Sequence, residues 1–311
     1  MDDLVYLTEG DVRSVLHMPE LRQRLRVAFG LHSSGRTDVP ARIAARSPEG
    51  MLAAMPGWVE GVGLVLKAVS VFPHNHGTDI PSHQGLIIVC DEHTGTPTAV
   101  MDAASVTALR TAASAAVAAD LLARADSTVL AIVGAGVQGH SHLQAFANLR
   151  PWSEVRVASR NRGSAMSLAA RHPAGRAMGF EEAARGADVI CLTTDADEPV
   201  IDPDWVKPGA HVGSVGNRAE LHPGFTTGEV FVEWHEVAAT PPPAGARELQ
   251  GVDPHRVIEI GRVVNGHHPG RTDPHQVTVY KSTGHAIEDA AAARLVLDIA
   301  LERGIGMRLP R

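Results

Sequence analysis

The chain is poor in aromatic residues, which make up 4 % of its 311 residues. Its core must therefore rest on Ala, Val, Leu and Ile. The apolar fraction of 44 % is ample for this, and the length suits two packed domains better than one. Cysteine is nearly absent. Cys90 and Cys191 stand far apart in apolar runs, which argues against a disulfide framework or a zinc site. There is no block of like charge, and the net charge is -7, so a nucleic-acid or anionic-membrane surface is not expected. No apolar run reaches the roughly 18 residues of a membrane span. The opening Met1-Asp2-Asp3-Leu4 has neither a basic start nor an apolar signal core, so a soluble cytoplasmic protein is expected. No G-x-S-x-G elbow points to a serine hydrolase. The 17 histidines show no zinc spacing beyond i, i+2 pairs such as His74/His76 and His140/His142, and no metal is expected. Lysine is scarce too. Only Lys67, Lys207 and Lys281 occur, so each can be weighed singly.

What is present alternates in period. Residues 11–32 carry apolar side chains at helical spacing, among them Val12, Val15, Leu21, Leu25 and Phe29, and Gly35 closes the unit. From Met51 to Val71 short apolar runs alternate with Gly and Pro, as strands and turns do. Leu86–Cys90 reads as a buried strand, residues 91–95 as a hairpin turn and Thr96–Met101 as the returning strand. Thr107–Arg124 is an Ala-rich helix. Strands and helices then alternate with short connections over about 127–216, the pattern of a doubly wound parallel sheet. Residues 241–243 and 264–276 read as loops, and 284–302 as a last helix. The expected architecture is α/β. A strand-rich first domain covers residues 1–122, with the terminal helix within 284–311 packed back on it, and a dinucleotide-type domain covers 123–283.

An apolar strand over Ser127–Val133 runs directly into Gly134-Ala135-Gly136-Val137-Gln138-Gly139, and a helix follows. In that context the G-x-G-x-x-G spacing marks a dinucleotide turn. Gly134 permits the turn, Gly136 lets the pyrophosphate approach the backbone, and Gly139 lets helix and strand pack closely. No lysine follows the turn, which removes ATP binding by this motif. His140 and His142 are expected to cap and line the helix. The next strand ends Ser159-Arg160-Asn161-Arg162, where an NAD site usually has an acid for the ribose 2′-hydroxyl. Guanidiniums match a 2′-phosphate, so NADP(H) is preferred, with NAD(H) as the alternative. Thr111 and Thr194 complete the expected cofactor contacts.

Arg42, Lys67 and Arg110 each sit among apolar or small residues, where a charge is costly unless paired. Converging, they would clamp a carboxylate. Singly, each would pair with an internal Asp or Glu. Both readings stand on these residues alone.

Several runs together resemble the ornithine cyclodeaminase/μ-crystallin family of NAD(P)-dependent enzymes. They are Met55-Pro56-Gly57, Lys67–Asn75, Pro81–Gly85, Asp91 with Thr94–Pro97, Met101-Asp102, Thr107–Ser114, the glycine turn and Lys281–Asp289. The resemblance covers nearly the whole chain. It implies a two-domain subunit, a homodimer built through the first domain, and a substrate carboxylate held by Arg42, Lys67 and Arg110. Lys67, or else His83 or His285, would manage the proton. Cyclodeaminase members have an essential aspartate soon after the strand that here reads His211–Gly216. This chain is shorter there and has Asn217, an amide that can orient but not act as a base. The expectation is therefore an NADP(H)-dependent reductase of α-imino acids, such as a cyclic ketimine, or an amino-acid dehydrogenase. The alternatives are an ornithine cyclodeaminase-type lyase with tightly held NAD and a non-catalytic crystallin-like binding protein.

Overall fold

The computed structural model describes residues 3–75 and 77–310; His76, of the first histidine pair, lies outside them. The chain divides into two compact units, one reaching up to Arg110 and resuming at His285, the other spanning Thr111–Gly284. The boundary thus falls between two consecutive residues of one helix.

The first unit begins with β1 (Leu4–Leu7), α1 (Glu9–Val15) and α2 (Met18–Ser33). The helical stretch expected over 11–32 is therefore two helices. Thr8 and Asp11 form a capping box that starts α1, and Pro19 stands in the first turn of α2. Proline has no N–H to give a helix interior, but its fixed φ suits a helix start, so it begins a new helix here. Strands β2 (Thr37–Asp38), β3 (Ile43–Arg46), β4 (Met51–Val59), β5 (Gly63–Val71), β6 (His83–Cys90) and β7 (Pro97–Asp102) follow, then α3 (Ala103–Leu122). The region read as short runs broken by Gly and Pro is two nine-residue strands, β4 and β5, paired antiparallel. Pro56 fits inside β4 because its other neighbours stop short of it: β3 pairs with Met51–Ala54, and β2 with Trp58 and Val59. Proline tolerates a strand position whose N–H side has no partner. Successive residues alternate across the sheet. Ala53, Met55, Val65, Ile87 and Val89 are buried on one face.

The second unit holds β8 (Val129–Val133), α4 (Val137–Ala147), β9 (Glu154–Ala158), α5 (Arg162–Ala169), β10 (Gly175–Ala177), α6 (Phe180–Ala184), β11 (Val189–Leu192), β12 (His211–Ser214), β13 (Val230–Val232), β14 (Val257–Glu259), α7 (Ile260–Val264) and β15 (Thr278–Lys281). The strand order is β10-β9-β8-β11-β12-β15-β13-β14, with every pairing parallel. The first five positions have the doubly wound dinucleotide-binding order, reversing between β8 and β11, and the unit's last strand, β15, takes the sixth. The α/β reading is borne out. The strands at the centre, such as Val189–Leu192, are apolar throughout and wholly buried, as a parallel sheet covered on both faces requires.

The chain then returns to the first unit as α8 (Ala286–Arg303) and β16 (Met307–Leu309). Helix α8 packs on α2 and on β4, β5 and β6, and β16 pairs antiparallel with β1. Among the described residues, no helix is long and apolar enough to cross a membrane, and no cluster of three or more His, Cys, Asp or Glu could hold a metal ion.

Candidate functional site

Three glycines of the turn differ in what constrains them. Gly134 has φ +118°, and a Cβ there would lie 2.5 Å from the Thr193 hydroxyl. A Cβ on Gly139 would lie 2.1 Å from the Gly134 carbonyl oxygen. Both are fixed by packing. Around Gly136 a Cβ would meet nothing within 4 Å. Its smallness serves no neighbour in the protein and leaves an open cradle. Gly136 is also the N-cap of α4 and offers no side-chain cap, so the first amides of that helix keep their hydrogens for another acceptor. Ala135 and the exposed Val137 line the same turn. The buried Gln138 Oε1 has no hydrogen-bond partner in the protein. An open cradle and uncapped amides fit a dinucleotide's pyrophosphate, while the Gln138 oxygen, an acceptor, suits a donor such as a hydroxyl. His142 does not face a ligand. It is buried against Phe146, its Nδ1 lies 2.8 Å from the Gln138 carbonyl oxygen, and burial pushes its pKa down to about 4. It keeps the helix in place as a neutral ring.

Beyond β9, Ser159 is half-buried and Arg160, Asn161 and Arg162 are exposed. Asn161 Oδ1 accepts the Ser164 amide at 3.0 Å and so caps α5, which gives it a local task. Arg160 and Arg162 make no ion pair among the described residues, and no acid stands at the strand end. Thr194, just after β11, donates its hydroxyl to Glu220 at 2.7 Å. Thr111 is buried in α3. Asn217 is exposed in the loop after β12.

In the first unit Lys67 and Arg110 converge. Lys67 Nζ is 2.7 Å from Asp289 Oδ2, and Arg110 donates through Nε to Asp289 Oδ1 at 2.9 Å and through Nη1 to Glu288. All four side chains are buried. Strand β5 carries Lys67, α3 carries Arg110, and the first turn of α8 carries both acids. The two arrangements left open for these cations therefore coincide: they converge, and they do so on internal carboxylates. Burial pushes the Lys67 ammonium down, Asp289 offsets part of this, and Arg110 and Arg42 push further, leaving it at about 8. Burial pushes the Asp289 carboxyl up, but Arg110 and Lys67 outweigh it and hold it below its ordinary value. Arg42, half-buried ahead of β3, belongs to the same electrostatic group, since its charge acts on both Lys67 and His285. His285 is buried at the start of α8, its ring 5.0 Å from that of His32. Burial, His32 and Arg42 hold it well below its ordinary pKa, so it is a neutral imidazole. Two buried cations thus meet two buried carboxylates, with the charge of the half-buried Arg42 acting on Lys67, an arrangement suited to receiving one further anion.

His83 lies further along the sheet. It is exposed at the start of β6, beside the Ser82 hydroxyl at 3.1 Å. The register pairs it with Val71, four residues along β5 from Lys67, or about 13 Å at strand spacing. Sequence reasoning missed Glu288 and Asp289 as members. The available signal was two adjacent acids opening an otherwise Ala-rich apolar helix.

Comparison with known proteins adds the lineage. The model of the ornithine cyclodeaminase/mu-crystallin family matches residues 3–304. The chain is 36 % identical to the ketimine reductase mu-crystallin of Mus musculus, covering 86 % of this chain and 85 % of that one. The structure of Thermococcus litoralis Delta(1)-pyrroline-2-carboxylate reductase in complex with NADH and L-proline superposes with TM-score 0.91 at 29 % identity, covering 98 % of this chain and all of that one. An archaeal alanine dehydrogenase dimer with bound NAD gives TM-score 0.88 at 29 % identity over 99 % of both chains.

Proposed function

Since the chain belongs to the ornithine cyclodeaminase/mu-crystallin family and is an oxidoreductase of it, we propose that it is an NADP(H)-dependent reductase of α-imino acids. Its substrate would be a cyclic ketimine such as pyrroline- or piperideine-2-carboxylate. The observation that carries this reading is the convergence of Lys67 and Arg110 on Asp289, with Arg42 in the same electrostatic group. Charge-assisted bonds from guanidinium and ammonium to a carboxylate are strong where water is excluded. Arg42, Lys67 and Arg110 hold the substrate carboxylate. A bound nicotinamide supplies the hydride to the imine carbon, and the imine nitrogen takes a proton. Lys67, with a pKa near 8, is matched to handling that proton at neutral pH. His285, neutral and buried, orients the site. Asn217 is left with an orienting role, which disfavours the deaminating alternative.

NADP(H) is favoured over NAD(H) because Arg160 and Arg162 stand unpaired where an acid would otherwise meet the ribose. The chain works as a homodimer in this reading. The face of the first sheet opposite α8 carries rows of directly paired apolar residues, among them Ile43–Ala54–Ala68–Leu86 and Pro56–Leu66–Ile88–Val100. Ile43, Leu52, Leu64 and Leu86 are exposed there, as expected of a face that a second copy covers. A Leu66→Arg variant should then run as a monomer in light scattering, and an unaltered chain that is already monomeric would refute the dimer.

The activity test is direct. The enzyme is incubated with cyclic ketimines and NADPH or NADH, and separately with ornithine and NAD. Net NADPH loss with a ketimine supports the reading. Ammonia release from ornithine without net cofactor turnover would overturn it. In Arg160→Asp, the preference for NADPH should shift towards NADH by about tenfold or more, as loss of a charge-assisted contact implies.

A further inference from the structure

Glu220 is completely buried and its carboxylate takes five donors. Oε2 accepts the Thr194 amide and the Thr194 hydroxyl, each at 2.7 Å. Oε1 accepts the Ser214 hydroxyl at 2.9 Å and the amides of Val215 at 3.1 Å and Gly216 at 2.7 Å. One side chain thus ties the loop after β11 to the loop after β12. Lys281, the last residue of β15 and equally buried, closes the other side. Its Nζ donates to Ser214 Oγ at 3.0 Å, to the Gly216 carbonyl at 2.6 Å and to Glu248 Oε1 at 2.8 Å. Ser214 and Gly216 are therefore held from both directions. Gly216 has no room for a side chain, because a Cβ there would lie 2.5 Å from the Thr194 carbonyl oxygen.

Buried ions are a poor means of gaining stability, since desolvation consumes most of the attraction; in some proteins they serve instead to fix one geometry. The position of this network shows which geometry. In a doubly wound sheet, ligands sit over the carboxyl ends of the strands on both sides of the point where the order reverses. Here the turn after β8 and the end of β9 take the pyrophosphate and the adenosine ribose. The remaining half of a dinucleotide then falls over the ends of β11 and β12, the two ends that Glu220 ties.

We infer that Glu220, Lys281 and Glu248 act as positioning residues, holding the loops at Thr194 and at Gly216–Asn217 in the shape that receives the nicotinamide half of the dinucleotide. The inference rests on the reading that this unit binds a nicotinamide dinucleotide. Glu220→Gln keeps the volume but turns one oxygen into a donor, which must face either the Thr194 or the Gly216 amide. One of the two loops is then released.

The test compares two ligands: the reduced dinucleotide that the unaltered enzyme binds, followed by nicotinamide fluorescence, and the matching ADP-ribose or its 2′-phosphate, which lacks nicotinamide, followed by calorimetry. Glu220→Gln should raise the Kd of the dinucleotide about tenfold while leaving that of the ADP-ribose within about twofold. Ser214→Ala, which removes only the shared hydroxyl, should show the same split at about threefold, and decides the matter if Glu220→Gln does not fold. Lys207→Met serves as the control for general destabilisation. Lys207 pairs with Asp188 at 2.6 Å at the amino ends of the same strands, and its loss should lower thermal stability with no split. Equal weakening of both ligands, or no weakening of either, overturns the inference. If the unaltered chain binds neither ligand, the dinucleotide reading itself is wrong, a result distinct from either of these.

Discussion

Lys67 and Lys281 are both ammonium groups sealed from solvent, at 2 % and 0 % exposure, yet their surroundings differ in kind. Lys281 has three acceptors, a hydroxyl, a carbonyl and a carboxylate, which match its three N–H bonds. Lys67 is paired with one carboxylate that it shares with Arg110, and two guanidiniums push against it. The first ammonium has an acceptor within the protein for each of its N–H bonds. The second leaves one carboxylate shared between two cations, which is the ground for the proposal that it takes a further anion. Buried charge alone does not mark an active site. The degree to which the protein already satisfies that charge is what, in the proposed reading, separates a structural ammonium from one that receives a ligand.

The contrast can be broken most forcefully at Arg110. Arg110→Met leaves Glu288 and the shared Asp289 buried with their main partner gone. It should lower stability by about 3–5 kcal/mol in chemical denaturation, and a near-neutral result would mean that the acids relax to solvent. Next comes Lys67→Met, which should reduce kcat/KM for a ketimine about 10²-fold or more, with a modest change in stability because Arg110 still holds Asp289. Lys281→Met should do the reverse. It should cost about 1–3 kcal/mol of stability by orphaning Glu248 and the Gly216 carbonyl, and it should act on turnover only through dinucleotide binding. The smallest effect sharpens the comparison. If Lys67 works as the ammonium, kcat/KM should fall as pH rises through about 8. Asp289 is the group that raises this pKa, so Asp289→Asn should move the falling limb to lower pH, by on the order of one unit. Lys281→Met should leave the limb where it is.

How much of this was legible depended on the range of the interaction. The glycine turn and the central strands of the second unit are local patterns, and their apolar runs read directly as a parallel sheet. Val230–Val232 and Val257–Glu259 were missed because three residues are too few to show a period. Pro19 and Pro56 gave opposite lessons. The first divided what the periodicity joined, and the second sat within what the composition divided, because only the strand partners decide whether a missing N–H matters. The cations of the first unit stood out as charges in apolar runs. Their partner Asp289 lies 179 residues from Arg110 in the chain, beyond any local pattern. His83 was legible as part of a motif, and only the strand register shows that it stands four positions along the sheet from Lys67.

The scarcity of lysine acquires a practical meaning once the fold is known. With Lys67 and Lys281 enclosed, Lys207, whose side chain is 34 % exposed, is the one lysine that a reagent in bulk water can reach. Apart from the α-amino group, amine-directed acylation therefore has a single side chain to attach to, beside Asp188 on the second unit. Any slower tagging at Lys67 or Lys281 records the moments when the protein opens around each of them, and so provides a separate clock for each unit.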